Sequence, residues 1–154
     1  MRRLVIFAAL ACALDQASKW LVVFGMDLRR IYAIDVLPPI LNFRYGENYG
    51  INFGLFGDSI NRWVFIALAM VIIAGLLWWL RRAAQPPIAY ASAGLLIGGA
   101  LGNVLDRLLY GYVLDFLNMS CCWIRNPFSF NVADVFVFAG AVGLVLFAQE
   151  KKRT

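Results

Sequence analysis

Four apolar stretches, each about as long as a bilayer's hydrocarbon core is thick, leave this 154-residue chain few choices of fold. They cover about residues 4–24, 63–80, 88–109 and 132–148. A spanning helix needs about 20 apolar residues in a row. Backbone polar groups inside lipid must pair within the chain, so such stretches become helices. The sequence therefore predicts an all-α membrane protein, a single integral domain over 1–154 with four transmembrane helices. A cleavable leader is the competing reading of the first stretch, because Ala9-Leu10-Ala11-Cys12 sits near a lipoprotein cleavage box. The box lacks an aliphatic residue at its first position, and the stretch reads as a retained first span.

Charge placement orients the spans. Arg2, Arg3, Arg81, Arg82, Lys151, Lys152 and Arg153 flank them on one side, joined there only by Glu150. The other side carries seven bases against eight acids. Basic residues collect on the cytoplasmic side, so both termini are expected in the cytoplasm. The basic tail reads as an anchor to anionic headgroups and not as a nucleic-acid patch.

Between the first two spans lies the one sizeable extramembrane segment. Pro38-Pro39 and Gly46, Gly50, Gly54 and Gly57 break it up. Leu37 to Tyr45 and Tyr49 to Phe56 carry strand-type residues, with a turn expected at Tyr45-Gly46-Glu47-Asn48. A small β-cradle over about 35–58, lying on the outer surface, follows. In the third span Gly94, Gly98 and Gly102 recur every four residues, which lets helices approach closely. Adjacent cysteines pair with each other only in a strained ring, so Cys121 and Cys122 are expected to be free thiols.

Charged groups inside such a chain are costly and point to function. Asp15 and Lys19 are spaced to pair on one helix face, a pair that could also snorkel to the interface. Asn103, Arg107, Gly111 and Asp115 recur every four residues, one stripe if the third helix continues. Asn131 and Asp134 share a face at the start of the fourth. Antiparallel packing of these two helices brings Asp115 and Asp134 to one depth near the outer surface.

Two carboxylates in a low-dielectric cleft share a proton. One then activates water and the other polarises a carbonyl. The chain has no histidine, which removes Ser-His-Asp and Cys-His machinery and the H-E-x-x-H zinc site. Ser18 and Lys19 are neighbours and do not face each other, so they form no Ser/Lys dyad. Three readings stay open on position alone: an aspartyl dyad, a structural ion pair, or a proton or cation pathway. A metal-dependent phosphotransferase is disfavoured, because Asp106, Asp115 and Asp134 are spread over two helices.

Four blocks resemble the lipoprotein signal peptidases (signal peptidase II), bacterial membrane aspartyl proteases. Asp15-Gln16-Ala17-Ser18-Lys19 resembles the family's D-Q-x-S-K, and Asn48-Tyr49-Gly50-Ile51-Asn52-Phe53 its N-x-G-A-A-F. Gly98 to Asp106-Arg107, with Gly111-Tyr112-Val113-Leu114-Asp115-Phe116, is similar to G-G-x-x-G-N-x-x-D-R-x-x-x-G-x-V-x-D-F. Phe130-Asn131-Val132-Ala133-Asp134 matches F-N-x-A-D. The resemblance implies that Asp115 and Asp134 are the catalytic pair. It implies that Asn48, Arg107 and Asn131 line the site, with Asp15 and Asn103 in support and Asp106 a helper at most. The implied substrate is a prolipoprotein carrying diacylglyceryl-cysteine, cut on the amino side of that cysteine at the periplasmic face of the inner membrane. The implied enzyme is a monomer in contact with membrane lipids, is inhibited by globomycin-type compounds, and needs no cofactor and no metal. Ile51-Asn52 departs from the family, which has two alanines there.

Overall fold

A computed structural model describes residues 1–50, 58–82, 84–121 and 126–148. Helix α1 (Arg2–Lys19) runs on through a π-helical turn at Trp20–Gly25. One short turn, α2 (Leu28–Ile31), leads into strands β1 (Ala33–Leu37) and β2 (Leu41–Asn48). Helices α3 (Asp58–Arg82) and α4 (Pro87–Leu109) follow, then strand β3 (Val113–Asn118) and helix α5 (Val132–Phe147). Among the described residues, three helical runs are long and apolar enough to cross a membrane: Arg2–Gly25, Arg62–Arg82 and Pro87–Leu109. Helix α5, at 16 residues, is apolar but shorter. The outward faces carry Val71, Phe138 and Val145, all well exposed. Water would not tolerate such surfaces, and lipid does.

Helix α4 is the central post, packed between α1 and α5 with α3 more loosely alongside. Half of its most apolar window is buried, against 11% for the α3 window. The glycines explain the closeness. A Cβ added at Gly94 would lie 2.6 Å from the Leu4 carbonyl oxygen of α1, and one at Gly99 2.5 Å from the Ala133 carbonyl oxygen of α5. Small residues at these crossings let backbones touch where lipid offers no hydrophobic drive to association.

The sheet closes one end of the helices. It is antiparallel in the order β1-β2-β3, so β2 is central. Gly46 pairs with Asp115 and Asn48 with Val113, after a shift in register between Phe43 and Gly46. Leu114 and Phe116 bury one face of β3 against Val22 and Val23 of the π-helical turn and Leu28 of α2. The Phe43 and Phe116 rings meet edge to face at 5.9 Å.

Three expectations are corrected. The predicted turn at Tyr45–Asn48 is strand, and the reversal lies at 38–40 between β1 and β2. The cradle is not confined to the loop between the first two spans, because its third strand comes from beyond α4. The third helix does not continue to Asp115. It ends at Leu109, and Gly111 takes φ +91, the left-handed cap that glycine accepts without strain. Most of the predicted Tyr49–Phe56 strand, with Ile51-Asn52, falls outside the described residues.

Close approach at Gly99 predicts a position-dependent response to one methyl group. Gly99→Ala should lower stability by about 1–3 kcal/mol through overpacking. Gly75→Ala, with nothing within 4 Å of the added carbon, should be neutral or stabilise by about 0.5–1 kcal/mol. Thermal unfolding of both variants in detergent checks the contrast.

Candidate active site

The polar residues at the end of the bundle that carries the sheet assemble around the start of α5. Asn131 is its N-cap, and the cap is reciprocal. The Asp134 N–H donates to Asn131 Oδ1 at 3.0 Å, and the Asn131 N–H donates to Asp134 Oδ2 at 3.2 Å. Such a capping box satisfies two backbone donors that the helix cannot. It also aims the remaining amide group of Asn131 across the site. Asn131 Nδ2 donates to Asp115 Oδ1 at 2.6 Å and to Asn103 Oδ1 at 3.3 Å. Asn103 Nδ2 in turn donates to Asp134 Oδ1 at 3.0 Å. One cap residue therefore touches both predicted dyad acids.

Asp115 projects from β3 opposite Gly46. Its Oδ2 accepts Asn48 Nδ2 at 3.0 Å from the end of β2. Asn48 is itself oriented, since its Oδ1 accepts the Gly50 N–H at 3.0 Å. Gly50 sits at φ +90, and a Cβ there would run into the Phe65 ring of α3. That ring also lies beneath the Arg107 guanidinium, 5.1 Å from centroid to Cζ. Arg107 Nη1 donates to the Asn103 carbonyl oxygen at 3.3 Å.

Behind this layer stands a second, fully enclosed one. Asp15 and Asp106 are 0% exposed and Lys19 2%. Lys19 Nζ lies 2.7 Å from Asp15 Oδ2 and 2.8 Å from Asp106 Oδ2. Gln16 Nε2 donates to Asp106 Oδ1 at 2.8 Å and Asp15 Oδ2 at 3.1 Å. The predicted Asp15–Lys19 pair is present, but Lys19 turns inward and does not snorkel. Breaking a buried pair by removing one partner costs about 3–5 kcal/mol.

The Asp115 carboxyl is pushed up to about 6, mainly by burial and next by the nearby Asp134 charge. The hydrogen bonds from Asn48 and Asn131, and the Lys19 charge, pull the other way. Asp115 lines an open cleft of about 370 Å³, with Asn48, Tyr49, Phe128 and Ser129 on its walls. On its rim Glu47 accepts the Tyr49 hydroxyl at 2.8 Å and the Tyr45 hydroxyl at 2.9 Å. The Tyr49 hydrogen bond is the main reason the Glu47 carboxyl sits below its usual range. Among the described residues no group of three or more acidic or cysteine side chains is placed to hold a metal ion.

All seven residues singled out from sequence fall into these two layers. Asp115, Asp134, Asn48, Asn103 and Asn131 form one hydrogen-bonded set, with Arg107 stacked at its edge and Asp15 behind. Asp106 and Gln16 carry more than sequence reasoning gave them. Asp106 reads from sequence as structural, a helper at most beside Arg107; the structure gives it a buried partner, Lys19, that its sequence neighbours do not indicate. Phe65 carried no signal, being one aromatic in an apolar run. Cys121 is disulfide-bonded, which corrects the expectation of a free thiol.

Comparison with known proteins follows the same lines. The sequence model of signal peptidase (SPase) II matches residues 7–149. The lipoprotein signal peptidase of Alteromonas mediterranea is 41% identical, over 94% of this chain and 79% of that protein. That of Methylorubrum extorquens is 42% identical over 87% and 78%. That of Symbiobacterium thermophilum is 37% identical over 97% of both. Two solved bacterial membrane enzymes share the fold. One has a TM-score of 0.81 at 25% identity, covering 95% of this chain and 92% of its own. The other has 0.77 at 24% identity, covering 95% and 87%.

The donor set around Asp115 predicts how it titrates. Asn48→Ala removes a hydrogen bond that favours the ionised carboxylate, so the midpoint near 6 should move to higher pH. Infrared difference spectra of the carboxyl stretch in detergent would follow it, with Asp115→Asn assigning the band. A midpoint that stays put or falls would contradict the geometry.

Proposed function

The chain belongs to the signal peptidase II family, and from that premise we propose that it is an aspartyl endopeptidase of the bacterial inner membrane. It removes the signal peptide from prolipoproteins whose cysteine already carries diacylglycerol, cutting on the amino side of that cysteine. The relatives named lipoprotein signal peptidase support the substrate class. The observation that carries the mechanism is the joining of Asp115 and Asp134 through the single residue Asn131.

In this reading a water lies between the two carboxyl groups. The pair holds one proton. The ionised member takes a proton from the water as its oxygen attacks the scissile carbonyl, and the protonated member gives its proton to the carbonyl oxygen. Reversing those roles hands a proton to the leaving amine. A carboxyl that titrates near 6 exchanges its proton readily near neutral pH, as this cycle needs. Asn48, Asn131 and Asn103 spend their amide groups on the two acids, so they position the dyad. Arg107, held on the Phe65 ring, is left to face the substrate beside it. No metal and no cofactor takes part.

The same proposal fixes the topology. The short helix α5 crosses as a fourth span, both termini are cytoplasmic, and the sheet lies on the periplasmic surface. The dyad then sits near the outer headgroups, where a lipid-modified cysteine also sits. The enzyme acts as a monomer, and globomycin-type inhibitors occupy the cleft.

Purified protein in detergent should cleave a diacylglyceryl-modified prolipoprotein with chelator present. Asp115→Asn and Asp134→Asn should each lower turnover by about 10²–10⁴-fold while the protein keeps its melting temperature to within a few degrees. Near-normal turnover in either variant would overturn the dyad, and loss of activity with chelator alone would favour a metal centre.

A further inference from the structure

We infer that Lys19 is a positioning residue for the reaction, a single buried ammonium that fixes the placement of both dyad carboxylates from behind. The inference rests on the dyad proposed above and adds to it a residue that touches neither the water nor the substrate.

Three acceptors surround Lys19 Nζ, and each leads to a dyad aspartate. Asp15 Oδ2 lies at 2.7 Å, and the other oxygen of Asp15 accepts the Ala133 N–H at 2.8 Å. Ala133 immediately precedes Asp134. Asp106 Oδ2 lies at 2.8 Å and also accepts the Leu114 N–H at 3.0 Å. Leu114 immediately precedes Asp115. Asn103 Oδ1 lies at 3.5 Å, and Asn103 Nδ2 donates to Asp134 itself. The ammonium has three protons, and three acceptors stand around it. Two arms grip the backbone one residue before each acid, and the third holds a carboxylate directly.

Stability alone does not account for this arrangement. A buried ion pair is often no more stabilising than apolar side chains of the same volume. This one sits in an otherwise apolar bundle and is enclosed on all sides. Gly102 leaves the space that its carboxylate needs, since a Cβ there would stand 2.7 Å from Asp15 Oδ2. Gln16 ties Asp15 to Asp106 a second time. The cluster joins α1 and α4 to β3 and to the start of α5. Lys19 Nζ and Gln16 Nε2 each link the chain before Asp115 to the chain before Asp134 through one atom, and of the two only Lys19 carries charge. Two carboxylates that must share a proton and a water tolerate little change in separation. A shift of about 1 Å in such a geometry can cost about 100-fold in rate.

Lys19→Met keeps the length of the side chain and removes its charge. In steady-state cleavage of the diacylglyceryl-modified prolipoprotein, kcat should fall by about 100-fold with KM within about twofold, because the substrate-facing cleft is untouched. Asp106→Asn keeps an oxygen for the Leu114 N–H and loses the charge. It should lower kcat by less, again with KM unchanged, and it carries the same test if Lys19→Met does not fold. The double variant should be no slower than Lys19→Met alone, because both changes act through one junction. The inference is overturned if Lys19→Met keeps normal kcat, if KM rises while kcat holds, or if the two losses multiply. Asp115→Asn and Asp134→Asn run alongside separate the two claims. If they retain turnover the dyad itself is wrong, and if they are dead while Lys19→Met is fully active only the role of Lys19 falls.

Discussion

Every oxygen of the four carboxylates gathered at the sheet end of the bundle accepts a hydrogen bond, and the rest of the structure depends on that. Asp15 and Asp106 take Lys19, Gln16 and two backbone N–H groups. Asp115 takes the amides of Asn48 and Asn131, and Asp134 takes Asn103 and the Asn131 backbone. An unmatched charge in such surroundings costs several kcal/mol, and water cannot reach the inner pair to reduce it. Matching eight acceptors fixes more than their own positions. The donors come from α1, β2, α4, β3 and the head of α5, so no element can shift without leaving a carboxylate short.

Close helix packing is the condition for that network. Apart from Lys19 and Gln16 the side chains involved are short, and asparagine reaches only a few ångströms. Asn103 of α4 can bond to Asp134 of α5 only because Gly99, one turn earlier, lets the α5 backbone lie against α4. Gly102 does the same for Asp15 on the α1 side. The small residues therefore do more than associate helices. They set the distance at which the polar groups of three separate helices count as neighbours.

Much of this was legible in sequence, for identifiable reasons. Helix positions follow from apolar length, which the bilayer imposes one segment at a time. The Asp15–Lys19 pair follows from helical spacing within one element, and the shared face of Asn131 and Asp134 from spacing of the same kind. Sequence reasoning failed where two elements compete for one segment. Asp115 continues the four-residue stripe of α4, and nothing local rules out a helix there except Gly111. The segment becomes strand because β2 offers an edge, and β2 lies more than sixty residues away. The same cause hid the third strand of the sheet and the partner of Asp106. Asp106 has Arg107 beside it in sequence, but adjacent residues on a helix point apart, and Lys19 reaches it from another helix.

The strand has a consequence for the pair it serves. Were Asp115 on an extension of α4, both carboxylates would ride on helices that meet through apolar side chains, and small slides of one helix along the other would change their separation. On β3, Asp115 is instead registered against Gly46 by the sheet ladder. Asp134 sits in the first turn of α5, where the cap with Asn131 fixes the helix start. Backbone bonds join the two devices, because the Phe116 and Leu117 N–H groups both donate to the Phe130 carbonyl oxygen, at 3.0 and 2.8 Å, and Phe130 returns a bond to Leu117 at 2.9 Å. The residue just before the cap is thus pinned to the strand that carries Asp115. The bridge in front and the buried charges behind therefore both bear on the spacing of the two acids, through backbone bonds and not through the apolar helix contacts.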